Sequence, residues 1–170
     1  LQKDHTSLMR IATKSSKLNI SKLENTKKIA DIFAKNIFKG NVILFYGEIG
    51  VGKTTFIKSL VNNLEKIDKK NISEITSPTF SLMNQYKLNN FDIHHYDLYR
   101  LKSEKDILSL NIFEDISDKI VLIEWPEILG EHKPKNTIDI NFEYGENFNS
   151  RYLTISAYER LKIFDEFKSL

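Results

Sequence analysis

The apolar positions of this chain follow two rhythms. From Leu23 they recur at Ile29, Ala30, Phe33, Ile37 and Phe38, the spacing of one helix face. Ser21 stands three residues before Glu24, as in a capping box, and Gly40 fits a helix end, so a first helix is expected from about 22 to 38. Residues 42–46 then form an unbroken apolar, β-forming run. Beyond a glycine-rich turn a second helical face carries Phe56, Ile57, Leu60, Val61 and Leu64, with an end expected near Glu65. Residues 66–70 read as a charged, solvated turn. Pro78 biases Ser77 away from helix, so 75–82 reads as a shaped loop between a short strand and the run 80–86. Residues 91–100 alternate as a strand does, with His95, Asp97 and Tyr99 on one face and His94, Tyr96 and Arg100 on the other. Residues 103–117 read as one or two short helices with Ile107, Leu108, Leu110, Ile112, Phe113 and Ile116 as their apolar positions. Four aliphatic residues at 120–123 precede Glu124, the pattern of a buried parallel strand, which Pro126 ends. Residues 137–144 and 151–156 alternate around a turn at 145–150, predicting a hairpin with one wet face. A terminal helix is expected over 158–168, with Leu161, Phe164 and Phe167 inward.

Composition narrows the class. The 170 residues are enough for a single domain with a sizeable core, and 41% hydrophobic with 28% charged residues is the balance of a soluble globular protein. No apolar run approaches the roughly 18 residues of a membrane span, and the start lacks a signal-peptide pattern. The expected location is therefore cytoplasmic. The lack of cysteine excludes disulfides, cysteine metal sites and thiol chemistry. A formal charge of +2 and a pI of about 8.6 are too mild to argue for direct nucleic-acid binding. Residues 1 to about 19 are polar with no clear period; they read as an added extension or an ordered extra strand, with Met9 a candidate start, and no function is placed there.

The chemistry begins at the glycine-rich turn. Gly47, Gly52, Lys53 and Thr54 satisfy G-x-x-x-x-G-K-[ST], with a strand before and a helix after. Glycines admit positive φ and let backbone N–H groups approach an anion. The helix start adds its dipole and its unpaired N–H groups. The expectation is a nucleoside-triphosphate site, with Lys53 on the β- and γ-phosphates and the Thr54 hydroxyl on Mg²⁺. Glu124, at the carboxyl end of its strand, is placed to approach that metal. Thr79 either shapes its loop or senses a γ-phosphate as switch loops do. Asp97 between Tyr96 and Leu98 needs a partner if buried: a basic residue such as Arg100, or a metal-bound or attacking water. His94 and His95 point to opposite faces and cannot share one metal. Trp125 either packs near the nucleotide or caps the strand end.

Four strings stand in order: Gly-Glu-Ile-Gly-Val-Gly-Lys-Thr-Thr (47–55), Ser-Pro-Thr-Phe (77–80), Tyr-Asp-Leu-Tyr-Arg-Leu (96–101) and Glu-Trp-Pro (124–126). Together they closely resemble the bacterial TsaE family, also called YjeE, the ATPase of tRNA threonylcarbamoyladenosine biosynthesis. The resemblance covers about residues 20 to 156. It implies an α/β, three-layer P-loop NTPase fold with a mostly parallel central sheet and an antiparallel hairpin near the C-terminus. It implies a Mg²⁺-dependent ATPase with TsaD and TsaB as partners, which transfer the threonylcarbamoyl group to adenosine beside the tRNA anticodon. The ATPase would support turnover of that complex and meet tRNA indirectly.

By position, the resemblance gives Gly47, Glu48, Ile49, Gly50, Val51, Gly52, Lys53, Thr54 and Thr55 to the nucleotide, Thr54 and Glu124 to Mg²⁺, and Asp97, Lys53 and Thr79 to catalysis. It sets Glu24 near the base, and Ser150 and Arg151 within reach of the nucleotide. A small-molecule kinase, a GTPase and a non-enzymatic nucleotide-gated module are the competing classes. The absence of a guanine-reading Asn/Thr-Lys-x-Asp string weighs against the GTPase, and Arg100 and Arg151 are too few to build a kinase lid.

Overall fold

Alternate residues of the central strands are buried on opposite sides, so both faces of the sheet demand cover. The computed structural model describes residues 13–157 and 163–170. Its strands are β1 (Thr13–Lys14), β2 (Leu18–Asn19), β3 (Val42–Tyr46), β4 (Met83–Lys87), β5 (Asp92–Asp97), β6 (Lys119–Glu124), β7 (Ile138–Tyr144) and β8 (Arg151–Ala157). Its helices are α1 (Leu23–Asn36), α2 (Lys53–Ile67), α3 (Glu104–Ser109) and α4 (Ile163–Glu166), with short 3₁₀ segments at Ile116–Asp118, Pro126–His132 and Phe167–Ser169.

All eight strands form one sheet in the order β1-β8-β7-β3-β6-β5-β4, with β2 also paired to β8. The centre is parallel: β3 lies between β7 and β6, and β6 pairs with β5. The edges are antiparallel, β4 on β5 and β8 on β7. The α/β expectation holds, and its parallel character is confined to the four inner strands. The expected hairpin is β7–β8, with alternate residues buried along each strand. The extra-strand reading of the N-terminal segment is met by β1 and β2, which pair with β8. Met9 lies outside the described residues, as does Leu161.

Ile43, Phe45, Ile120 and Leu122 join one core with α1, α2 and α4. Val42, Leu44, Val121 and Ile123 join the other with Ile107 of α3 and Leu129. Phe56, on the first turn of α2, stands at the middle of an aromatic group, its ring 6.0 Å from Phe33, 6.1 Å from Phe45 and 5.9 Å from Phe142. Such pairs add about 0.5–1.5 kcal/mol each beyond area burial, and these three lock the start of α2 to α1, β3 and β7. Among the described residues no helix is long and apolar enough to cross a membrane.

Four local expectations fail for identifiable reasons. Ser21 does not cap α1; the N-cap is Lys22, with no side-chain hydrogen bond. The Ser21 hydroxyl oxygen instead accepts from the Arg151 N–H at 2.9 Å, a tie to the start of β8. Gly40 does not close α1, which stops at Asn36 with Ile37 already extended. Gly40 adopts φ +94° in the turn into β3, where its N–H donates to the Lys119 carbonyl at 2.8 Å. No strand forms around Ile75 among the described residues, and the run expected from Phe80 begins at Met83, leaving Phe80 86% exposed. The second helix runs two residues past Glu65, its helical hydrogen bonds continuing to Asp68, whose N–H donates to the Leu64 carbonyl at 3.0 Å.

Candidate functional site

Three inner strands deliver their carboxyl ends side by side. Glu124 at the end of β6 is in register with Phe45 of β3 and with Asp97 at the end of β5. Ligands of open α/β sheets bind at such strand ends. A cleft of about 360 Å³ opens there, lined by the glycine-rich turn, the 77–79 loop, Asp97, Glu124, Trp125 and Arg151.

The turn is shaped by backbone that only glycine tolerates well. Gly52, the N-cap of α2, has φ +120°. Gly47 has φ +140°, and a Cβ there would stand 2.8 Å from the Phe142 carbonyl oxygen and 2.9 Å from its Cβ. The turn is thus pressed against β7. Gly47→Ala meets both positive-φ strain and backbone overlap and is expected to destabilise the fold by about 3 kcal/mol. Urea unfolding reads this directly; an unchanged midpoint would remove the close-approach argument.

Lys53 opens α2 and is only 5% exposed. Its ammonium donates to the carbonyls of Gly47 and, at 2.9 Å, Glu48, and it lies 4.1 Å from the centre of the Trp125 ring. Burial pushes its pKa down, partly offset by Glu124, Glu127, Asp97 and Glu48. Thr54 follows, and its hydroxyl donates to Glu124 Oε2 at 3.2 Å. Glu124 is itself buried, and its Oε1 lies 2.9 Å from Nε2 of the wholly buried His95.

Asp97 is also buried, and its partners are neutral donors. Its Oδ2 accepts from the Ser77 hydroxyl at 2.7 Å and the Thr79 hydroxyl at 2.8 Å, and its Oδ1 from the Tyr99 N–H at 3.0 Å. Of the two alternatives for Asp97, the ion pair with a basic residue such as Arg100 does not form among the described residues. Arg100 lies over the exposed Phe80 ring at 5.1 Å instead. Thr79 is therefore drawn to Asp97 at the rim of the cleft.

The remaining expected residues are spread unevenly. Ile49, Gly50, Thr55 and Arg151 line the cleft. Val51 is buried in the core, and Glu48 joins the site through its carbonyl. Ser150 is absent from the lining and belongs to the hairpin turn, its carbonyl accepting from the Gly145 N–H at 2.7 Å. Glu24 is also absent from the lining: it sits on the exposed face of α1, paired with Lys28 at 3.0 Å. Four residues of the site were not assigned from sequence. Ser77 and Tyr99 touch Asp97, and His95 touches Glu124. Trp125 leaves β6 at φ +58° and stacks between Lys53 and Tyr99, 4.9 Å from the latter. No group of three or more acidic or histidine side chains suited to a metal occurs among the described residues.

A strand–glycine turn–helix at the carboxyl ends of the parallel inner strands, helices on both faces, and a strand-end acid beside the turn make up the three-layer architecture of the P-loop NTPase fold. The profile of the family described as "Threonylcarbamoyl adenosine biosynthesis protein TsaE" matches residues 20–153, and the chain belongs to that family. The tRNA threonylcarbamoyladenosine biosynthesis protein TsaE of Rickettsia conorii is 38% identical over 132 residues, covering 78% of this chain and 73% of the relative. Its namesake from a Nostoc species is 34% identical over 148 residues, covering 84% and 86%. The crystal structure of Bacillus subtilis YdiB has the same fold, with a TM-score of 0.69, 23% identity and coverage of 94% of this chain and 96% of that one.

Proposed function

We propose that this chain binds and hydrolyses Mg²⁺–ATP in support of threonylcarbamoyladenosine formation next to the tRNA anticodon, acting in the cytoplasm with TsaB and TsaD. One observation carries the reading: the turn with its buried lysine, the Thr54–Glu124 pair and the Ser77–Thr79–Asp97 cluster all open on one cleft.

The residues fit the ligand. Gly47 and Gly52 at positive φ permit the backbone to wrap an anion, and Lys53 offers an ammonium whose hydrogen-bond acceptors among the described residues are carbonyl oxygens. Thr54 and Glu124 supply hard oxygen atoms of the kind Mg²⁺ takes, with remaining positions left for phosphate and water. Bound Mg²⁺ would neutralise charge on the phosphate oxygens. Asp97, held by three donors, is the group to orient an attacking water. Thr79 couples the 77–79 loop to that carboxylate. Catalysis of this kind is mainly positioning and electrostatics, which suits a site that a partner completes.

The deciding experiment measures ATP hydrolysis by the purified chain alone and with the TsaB–TsaD pair. Stimulation by the pair is expected. Phosphate transfer to a small acceptor, or strong turnover that ignores the pair, would favour a kinase or another NTPase. In the same assay Thr54→Ala is expected to raise the Mg²⁺ needed for ATP binding by about tenfold or more; identical affinity with and without the metal in both proteins would refute the metal assignment.

A further inference from the structure

His95 has no part in the chemistry described so far, yet it is the most enclosed polar residue of the site. It is 0% exposed, in the interior of β5. Its two ring nitrogens are treated unequally. Nε2 lies 2.9 Å from Glu124 Oε1, while Nδ1 is buried without a hydrogen-bond partner among the described residues. A carboxylate only accepts, so the contact requires the proton on Nε2. Buried polar atoms without partners are uncommon and call for a reason. An apolar side chain would fill this space without an orphaned nitrogen, so packing alone does not account for a histidine.

The reason lies in Glu124. Its Oε1 receives both His95 at 2.9 Å and, more distantly, Thr54 at 3.4 Å, while its Oε2 receives only Thr54 at 3.2 Å. With one oxygen pinned by a rigid ring, the carboxylate cannot rotate freely, and the second oxygen stays on the Thr54 side. Groups that hold a metal-binding carboxylate by hydrogen bonds set its orientation and basicity, and their loss typically costs about 10–100-fold in metal affinity.

We infer that His95 is a positioning residue, whose Nε2–H holds the Glu124 carboxylate so that Oε2 faces a divalent cation beside Thr54. This rests on the Mg²⁺–ATP reading above. The test follows binding of a fluorescent ATP analogue to the full chain at increasing Mg²⁺, with the metal-free affinity measured separately. His95→Met, similar in bulk and without a donor, is expected to raise the half-saturating Mg²⁺ by about tenfold or more and to leave metal-free binding unchanged. His95→Gln, whose amide nitrogen can take the place of Nε2, is expected to recover most of that loss. On a Glu124→Gln background, His95→Met should change nothing further.

A wild-type Mg²⁺ requirement in His95→Met, or a loss that still adds to Glu124→Gln, overturns the inference and spares the Mg²⁺–ATP reading. Wild-type binding indifferent to Mg²⁺ overturns both. Nitrogen-15 spectra of the wild-type imidazole provide a check that needs no variant to fold: a proton on Nε2 is expected, and a ring protonated on Nδ1 alone overturns the assignment.

Discussion

Lys53→Ala is expected to abolish ATP binding at ordinary concentrations and, with it, hydrolysis, while the chain stays folded. The side chain is almost wholly buried; its ammonium donates to two backbone carbonyls and lies over the face of Trp125, with the carboxylates of Glu124, Glu127, Asp97 and Glu48 acting on it without an ion pair among the described residues. Its lowered pKa, caused chiefly by burial, shows that the ammonium is held there at a cost. Removing it forfeits a cation–π contact worth about 0.5–2 kcal/mol but also relieves a dehydrated charge. Net stability should therefore move by no more than about 1 kcal/mol. Against phosphate the balance differs, because bonds between ionised partners are roughly twice as strong as neutral ones. Losing such a donor at a site of developing charge costs about 10²–10³ in turnover, on top of weakened binding. Titration calorimetry with ATP and urea unfolding of the same sample separate the two effects. Wild-type ATP affinity in the variant would sink the phosphate assignment; an unfolded variant would make Lys53 structural.

Asp97→Ala should behave in the opposite way, keeping ATP affinity within a few-fold and losing partner-stimulated hydrolysis by about 10²-fold or more. The carboxylate gathers Ser77, Thr79 and the Tyr99 N–H and so ties the 77–79 loop to the end of β5. Hydrogen bonds to a charged group contribute about 1.5–3 kcal/mol each. Ser77 and Thr79 are only part-buried, so their freed hydroxyls can turn to water, and the stability loss should stay near 2–4 kcal/mol. Asp97→Asn keeps an acceptor for the loop and removes the charge. If it folds like wild type and still fails to hydrolyse, the charge is what the reaction needs. If Asp97→Asn retains full stimulated turnover, Asp97 is a loop anchor and nothing more.

Local patterns predicted the elements that local forces decide. The glycine turn, the aliphatic run before Glu124 and the helical stripe from Phe56 to Leu64 each owe their conformation to neighbours within a few residues, and each was legible. Ser21 shows where this fails. Its spacing to Glu24 suits a capping box, but a hydrogen bond to residue 151 takes the hydroxyl. A capping box does occur, between Ser103 and Asp106, where the same spacing with an aspartate was passed over. The site divides in the same way. Lys53 and Thr54 are fixed by the turn that precedes them, whereas His95 meets Glu124 across 29 positions and Ser77 meets Asp97 across 20. The first depends on β5 lying beside β6 in one register and the second on where the 77–79 loop meets the end of β5, neither of which the pattern of apolar residues along a strand encodes. The sequence left open a basic partner such as Arg100 for Asp97; proximity in sequence said nothing of hydroxyls arriving from another loop.

Trp125 is the chain's only tryptophan, and it leans on the Lys53 ammonium. Ultraviolet light tuned to indole therefore excites one spot in the molecule, at the mouth of the cleft. A ligand that drew the lysine away would change the ring's surroundings, so the emission of Trp125 is expected to respond to what enters the cleft. The molecule thus carries its own optical gauge of occupancy, and needs no label to be read.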